Sequence, residues 1–174
     1  MGQQPFETLV EVHHGEIFRY LCRLTSRSSE AEDLSQETFL RAYRAYRGLT
    51  PDANVRAWLF TIATNLTRNH FRSERRRRLA HTALREIRTE WDGADPEAES
   101  RLSETRTHLD AVVASLPLRQ RMAFILRKIH DFDYDVIAQN LMCSAESARA
   151  HVFQALKKIR QGLKEHDLVT EFER

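Results

Sequence analysis

From Phe6 to Thr25 the apolar positions Leu9, Val10, Ile17, Phe18, Leu21 and Leu24 fall near helical spacing, so one face of a helix is apolar, with Gly15 as its weak point. In Ser29-Glu30-Ala31-Glu32 a Ser is followed three residues later by a Glu, a capping box that predicts the start of a second helix running to about Arg47. Gly48 and Pro51 break the chain. A third helix is predicted from about Asn54 to Arg78, with Val55, Trp58, Leu59, Ile62, Ala63 and Leu66 on one face. Three amphipathic helices can close one small bundle core.

From Leu79 to about Leu102 the periodicity fades, acids gather, and Gly93 and Pro96 appear, which reads as a linker. Periodicity returns with Leu109, Val112, Val113 and Leu116 and stops at Pro117. A helix is then predicted from Arg119 to about Ile129, a short one from Tyr134 to Leu141, and a last one from Ala145 to about Leu163. Leu, Ala, Arg and Glu dominate, all good helix formers, while five Gly and four Pro leave few turns for a many-stranded fold. The expected class is all-α. Two small helical domains, residues 1–78 and 105–168, are joined by an acidic flexible linker, residues 79–104, and followed by a tail, residues 169–174.

Charge adds direction to this layout. The formal net charge of +2 decides little. Its distribution is uneven: Arg72, Arg75 to Arg78, Arg85 and Arg88 form a basic stretch, followed by Glu90, Asp92, Asp95, Glu97 and Glu99. Such a sign change suits an element facing nucleic acid beside a solvated linker, although an arginine run is also an ordinary solvated helix end.

Other chemistry is thin. Cys22 and Cys143 lie far apart with no Cys-x2-Cys pair. None of the eight His residues forms His-x3-His with a nearby acid, His13 and His14 point apart on a helix, and His130 reads as a surface loop residue. No glycine-rich phosphate loop or nucleophile elbow is present. An enzyme, a metal site and a cofactor are therefore not expected. No apolar run approaches the ~18 residues that span a bilayer, so a cytoplasmic chain with no membrane insertion is expected.

The segment from Asp133 to Ile159 has the pattern of a helix-turn-helix. Met142-Cys143-Ser144 forms the turn, Ser144 can cap the last helix, and Glu146 favours its positive end. Ala148, Val152, Ala155, Leu156 and Ile159 make the inward stripe. Ser147, Ala150, Gln154 and Lys157 project outward, flanked by Arg149, His151 and Phe153. Gln and Arg can contact base edges, while Ser and Lys fit phosphates. An ordinary helical hairpin with a solvated face fits this window equally well. Met142 stands where many such turns place Gly for a left-handed backbone, at a cost of roughly 1 kcal/mol.

Two faces of the first domain stand out. On the second helix Leu34, Thr38, Ala42 and Tyr46 make the core stripe, while Leu40 sits among Asp33, Gln36, Glu37 and Arg44 on the other side. An apolar residue among charges marks a partner site or is a lone exposed Leu. On the third helix Thr61, Thr64, Arg68 and Arg72 share a face with Asn65 at its margin, and no acid falls between Val55 and Ser73. This row leads into Arg75 to Arg78 and suits phosphates and unpaired bases.

Three motifs carry a resemblance. Ala31-Glu32-Asp33-Leu34-Ser35-Gln36-Glu37-Thr38-Phe39-Leu40-Arg41-Ala42-Tyr43-Arg44 resembles region two of the sigma-70 superfamily. Arg56-Ala57-Trp58-Leu59-Phe60-Thr61-Ile62-Ala63-Thr64-Asn65 is similar to that family's helix for melting and reading the minus-ten element. Leu116-Pro117-Leu118-Arg119-Gln120-Arg121 resembles the opening of region four, which reads the minus-35 element. Their order and spacing, with no room for further domains, match the extracytoplasmic-function subgroup.

The resemblance implies a promoter-specific initiation factor that works with core RNA polymerase on promoter DNA and is held in check by an anti-sigma factor. It implies that Asp33, Gln36, Glu37, Leu40 and Arg41 engage the clamp of the largest polymerase subunit. Trp58, Thr61, Thr64, Asn65, Arg68 and Arg72 would serve the minus-ten element, with Asn65 where the family holds a flipped base. Ser147, Arg149, His151, Phe153, Gln154 and Lys157 would serve the minus-35 duplex. The chain departs from the pattern at Met142 and Glu146, often Gly, at Gln154 and Leu156, often Arg, and at Leu49, often aromatic. The rival reading is a helix-turn-helix regulator that binds duplex DNA without polymerase. It leaves the Trp58 to Asn65 helix and the Leu40 face unexplained.

Overall fold

Seven helices and no strand make up the described residues of the computed structural model, which are 5–25, 27–81 and 102–164. The chain divides into two compact units, Met1–Gly93 and Ala94–Arg174.

The first unit is a three-helix bundle of α1 (Phe6–Thr25), α2 (Ser28–Tyr46) and α3 (Val55–His81), each packed against the other two. The buried positions follow the apolar stripes: Leu9, Ile17, Leu21 and Leu24 of α1, Leu34, Thr38, Ala42 and Tyr46 of α2, and Leu59, Ala63 and Leu66 of α3. At its centre the rings of Tyr20 and Phe60, both fully buried, lie 5.0 Å apart. Each such side chain contributes about 1.5–3 kcal/mol by leaving water. A bidentate ion pair between Arg56 and Glu16 clips α3 to α1, and the same guanidinium lies over the Phe60 ring at 5.4 Å.

The predicted capping box does not form. The helix starts two residues earlier than that box requires, at Ser28, with Arg27 at the cap position and no side-chain cap bond. Glu32, the residue meant to reach back, is exposed, while Glu30 pairs with the Arg27 guanidinium at 3.0 Å and lies 3.3 Å from His70 of α3. Asn54 caps the start of α3, its Oδ1 accepting from the Ala57 amide at 2.9 Å.

No described side chain of α3 beyond Thr67 is buried, yet the helix runs three residues past Arg78 into the stretch expected to be linker. Leu79 and Ala80 are good helix formers and simply continue it. The acids Glu90, Asp92, Asp95, Glu97 and Glu99 lie outside the described residues.

In the second unit α4 (Leu102–Ser115), α5 (Leu118–Lys128) and α6 (Tyr134–Leu141) all pack on the 20-residue α7 (Ala145–Lys164). Pro117 separates α4 from α5, and the Arg121 guanidinium ties the corner by donating to the carbonyls of Ala114 and Leu116. Gly162 lets α4 come close: a Cβ there would lie 3.0 Å from both methyl groups of Val112. The core is Met122, Ile125, Leu126, Ile137, Leu141, Ala148, Val152 and Ala155.

His130 is buried, not the surface residue its loop position suggested. Asp131 takes a left-handed conformation (φ 54°), and the following Phe132 is buried as well. The chain thus folds His130 and Phe132 against the body on either side of an exposed Asp131.

Candidate functional site

Three surfaces hold the residues that carry function in the sequence reading. The first is on α2. Asp33, Gln36, Leu40 and Arg41 are exposed and Glu37 half-buried. Arg41 donates to Glu37 one turn back at 2.6 Å, so these two charges are partly satisfied on the surface and frame Leu40. Leu40 is 44% exposed, and one turn on Tyr43 is 59% exposed. The Tyr43 ring is held edge-on by Phe6 of α1, centroids 5.3 Å apart. Leu40 and Tyr43 together form an apolar strip rimmed by charge, the arrangement of a protein-contact surface. Tyr43 escaped the sequence reading, although its i, i+3 spacing from Leu40 on a known helix was a usable signal.

The second surface is the outer face of α3. Asn65, Thr61, Arg68 and Trp58 are half-buried along it and Arg72 is exposed. The Arg68 guanidinium donates to Asn65 Oδ1 at 3.4 Å, a long contact that engages the oxygen end of the amide. The Thr61 hydroxyl donates back to the Ala57 carbonyl at 2.9 Å. Thr64 does not belong here. Its side chain is fully buried, and its hydroxyl lies 2.8 Å from the Tyr20 phenol. One residue stands at the edge of the stripe, and a buried phenol draws it inward.

The third surface is on α7. The chain enters it through Met142, in the left-handed conformation (φ 53°, ψ 54°) that usually selects Gly, with its side chain 71% exposed. The exposed side chain makes no clash with the body, so the backbone cost of roughly 1 kcal/mol is the whole penalty. Ser144 caps α7, its Oγ accepting from the Ser147 amide at 3.1 Å and donating to Ser147 Oγ at 2.9 Å. Ser147 is therefore half-buried and engaged in the cap.

Arg149, Ala150, Phe153, Gln154 and Lys157 are exposed along one side, Phe153 at 70%. The guanidinium of Arg149 lies 5.2 Å from the Tyr134 ring, and that of Arg127 lies 5.1 Å from the same ring. Tyr134, at the start of α6, thus restrains an arginine of α7, worth about 0.5–1 kcal/mol at an exposed site. His151 is half-buried with its Nδ1 enclosed and without a hydrogen bond. Burial, aided by Arg119, lowers its pKa below the ordinary value and keeps the ring neutral. Arginine and lysine, not histidine, supply the positive charge of this face.

Short helix, tight turn, capped helix with a polar and basic outer face: α6 and α7 have the geometry that places a helix in a major groove. Sequence comparison agrees with the layout of both units. Residues 9–77 match the family description Sigma-70 region 2, and residues 106–159 match Sigma-70, region 4. The chain belongs to the sigma-70 family.

Within the family the chain falls in the extracytoplasmic-function group, and it is a promoter-specific transcription initiation factor, not an enzyme. It is 30% identical over 167 residues to the ECF RNA polymerase sigma factor SigE of Mycolicibacterium smegmatis, covering 95% of this chain and 64% of that longer protein. It is 27% identical over 168 residues to the RNA polymerase sigma-H factor of Pseudomonas aeruginosa, covering 92% and 87%. Among solved structures, the sigma factor RpoE of Bartonella quintana, crystallised with the anti-sigma factor NepR, shares the fold at a TM-score of 0.76. That match has 22% identity and covers 91% of this chain and 96% of the other. CnrH, in complex with the cytosolic domain of CnrY, matches at a TM-score of 0.66 and 20% identity, covering 92% and 88%.

Among the described residues of this sigma factor no helix is long and apolar enough to cross a membrane, and no group of three or more His, Cys, Asp or Glu residues could hold a metal.

Proposed function

We propose that the three surfaces divide one task. The α2 face docks the protein on the clamp of the largest subunit of core RNA polymerase, the outer face of α3 holds the minus-ten element as it opens, and α7 reads the minus-35 duplex. The observation that carries this reading is the pairing, in one chain, of an apolar Leu40–Tyr43 strip with an acid-free basic helix face and a capped recognition helix.

Each surface has the chemistry its task needs. A charge-rimmed apolar strip gives a buried contact surrounded by polar groups that set orientation. On α3 the Arg68 and Arg72 guanidiniums attract phosphates, Trp58 offers a stacking plane, and the Asn65 amide can donate to one displaced base. On α7 Arg149 and Gln154 address base edges while Lys157 serves the backbone. Arg75 to Arg78 extend the cationic track along α3. Residues 1–78 would act at the polymerase and the minus-ten element and residues 105–168 at the minus-35 element, with residues 79–104 as tether.

The protein works in the cytoplasm, where polymerase and chromosome are. The relatives crystallised with NepR and CnrY support a further reading, that an anti-sigma factor covers the clamp-docking face until it is released.

Run-off transcription with purified core polymerase on a library of genomic promoters tests the proposal. Transcripts starting at a common pair of upstream motifs are expected only when this protein is added. Duplex binding at those motifs by the isolated protein, with no stimulation of core polymerase, would overturn it in favour of a polymerase-independent regulator.

A further inference from the structure

Gln154 does not stand free on α7. Gln120 of α5 donates from its Nε2 to Gln154 Oε1 at 2.7 Å, while its own Oε1 is enclosed by protein and makes no hydrogen bond. Gln120 is half-buried and Gln154 exposed, so the bond crosses from the scaffold to the outward face. It gives the Gln154 amide a sense: carbonyl oxygen inward, NH2 outward.

That sense matters for base recognition. A glutamine reads adenine by using both ends of its amide, accepting from N6 and donating to N7. With its oxygen bound to Gln120, Gln154 presents donors. The donors match the O6 and N7 acceptors of guanine and the O4 acceptor of thymine, forfeit the paired contact to adenine, and meet the N4 donor of cytosine head-on.

We infer that Gln120 is a positioning residue that sets the base preference of the minus-35 contact without touching DNA, turning Gln154 toward acceptor-bearing bases. The inference rests on the reading of Gln154 as a base-contacting residue. A Gln120→Glu change offers a test of the mechanism itself. A carboxylate can only accept, so Gln154 must turn its NH2 inward and present its oxygen to the groove.

The experiment selects promoters with a randomised minus-35 element, using the full protein with core polymerase. Wild type is expected to prefer G or T over A and C at one position by about tenfold, the scale of one good base contact. Gln120→Glu should reverse that order toward A and C at the same position only, whatever uniform loss its charge brings. Gln120→Leu, which frees the amide, should admit adenine there. If Gln154→Ala abolishes the preference while both Gln120 variants keep the wild-type order, the inference is overturned. If Gln154→Ala itself leaves every position unchanged, the base-contact reading fails.

Side-chain amide NMR of the free protein checks the polarity independently of DNA. The Gln120 NH2 resonances should move on Gln154→Ala. Gln120 NH2 resonances that stay in place on Gln154→Ala would mean that Gln120 does not donate and overturn the proposal.

Discussion

The phenol of Tyr20 and the hydroxyl of Thr64, 44 residues apart, face each other at 2.8 Å inside the first bundle. Burial pushes the Tyr20 pKa well above its ordinary value, with Thr64 pulling weakly the other way, so the phenol stays neutral and serves as a structural group. Removing either partner should cost about 1–2 kcal/mol, a buried hydrogen bond with one desolvated group left behind. Urea denaturation of Tyr20→Phe, Thr64→Val and the double variant should show coupling, the pair costing less than the sum. Thr64→Val should leave the promoter selection profile unchanged. A changed base preference would return Thr64 to the DNA-facing surface.

Leu40→Asp is expected to weaken core polymerase binding by about 1–3 kcal/mol, the effect of a central interface residue. Helix content should be untouched, because the side chain already faces water. Competition against wild type for core polymerase gives the measurement. Tyr43→Ala should act in the same direction, and equal competition by both variants would reduce the strip to solvated surface.

Asn65→Ala should slow open-complex formation and relax the preference at one minus-ten base, read by permanganate footprinting on a promoter series. An Arg68→Met change should instead weaken all promoters alike and lessen the salt dependence, since a phosphate contact carries no sequence information. Identical behaviour of the two variants would argue against separate base and backbone roles.

Acid should destabilise both units. Burial lowers the pKa of His13, opposed by Glu16 and assisted by Arg56, and burial with Arg119 lowers that of His151. Each group binds its proton more readily in the unfolded chain, so its contribution is complete above an unfolded pKa of about 6.5 and is lost progressively as pH falls below that value to the lowered pKa of the folded state. Melting temperatures measured from pH 7.5 to pH 5.5 should therefore fall on acidification. The slope should flatten for the first unit in His13→Gln and for the second in His151→Gln. Unchanged slopes would mean that other groups govern the acid limb.

Met142→Gly is expected to raise the stability of the second unit by up to about 0.5 kcal/mol, the left-handed strain of roughly 1 kcal/mol relieved less the chain entropy that glycine adds. Thermal denaturation decides it. A loss of stability would show that the Met142 side chain contributes contacts despite its exposure.

Much of this was readable beforehand, for identifiable reasons. The bounds of α6 and the start of α7 followed from a short apolar period closed by Ser144, a local cap that depends on no distant residue. The Leu40 face was visible because charge on three sides isolates one apolar position. What escaped was set at a distance. Thr64 lies where the exposed and buried sides of α3 meet, and only Tyr20, on another helix, decides which way it turns. Ser29 and Glu32 had the spacing of a capping box, but α2 begins earlier, at Ser28, where Glu30 pairs with Arg27 and lies against His70 of α3. His130 looked exposed because loops generally are, and the left-handed Asp131 that tucks it in is not a residue whose backbone a sequence announces. The Gln120–Gln154 bond joins a candidate base-reading residue to one 34 positions away that the sequence did not mark as its partner.

The length of α3 has a consequence for how this protein opens. Its first 13 residues, through Thr67, are anchored by the bundle core; the remaining 14 have no buried side chain among those described and include four consecutive arginines, Arg75 to Arg78. A helical segment of that length is marginal alone in water, and like charges one turn apart push it further toward unwinding. Amide protection should therefore grade steeply along one continuous helix, global at Ala63 and near zero past Arg75. Anything that neutralises the arginines, salt or a phosphate backbone, winds those turns tighter. The cationic end of α3 is in effect a helix whose length is set by the charge it meets.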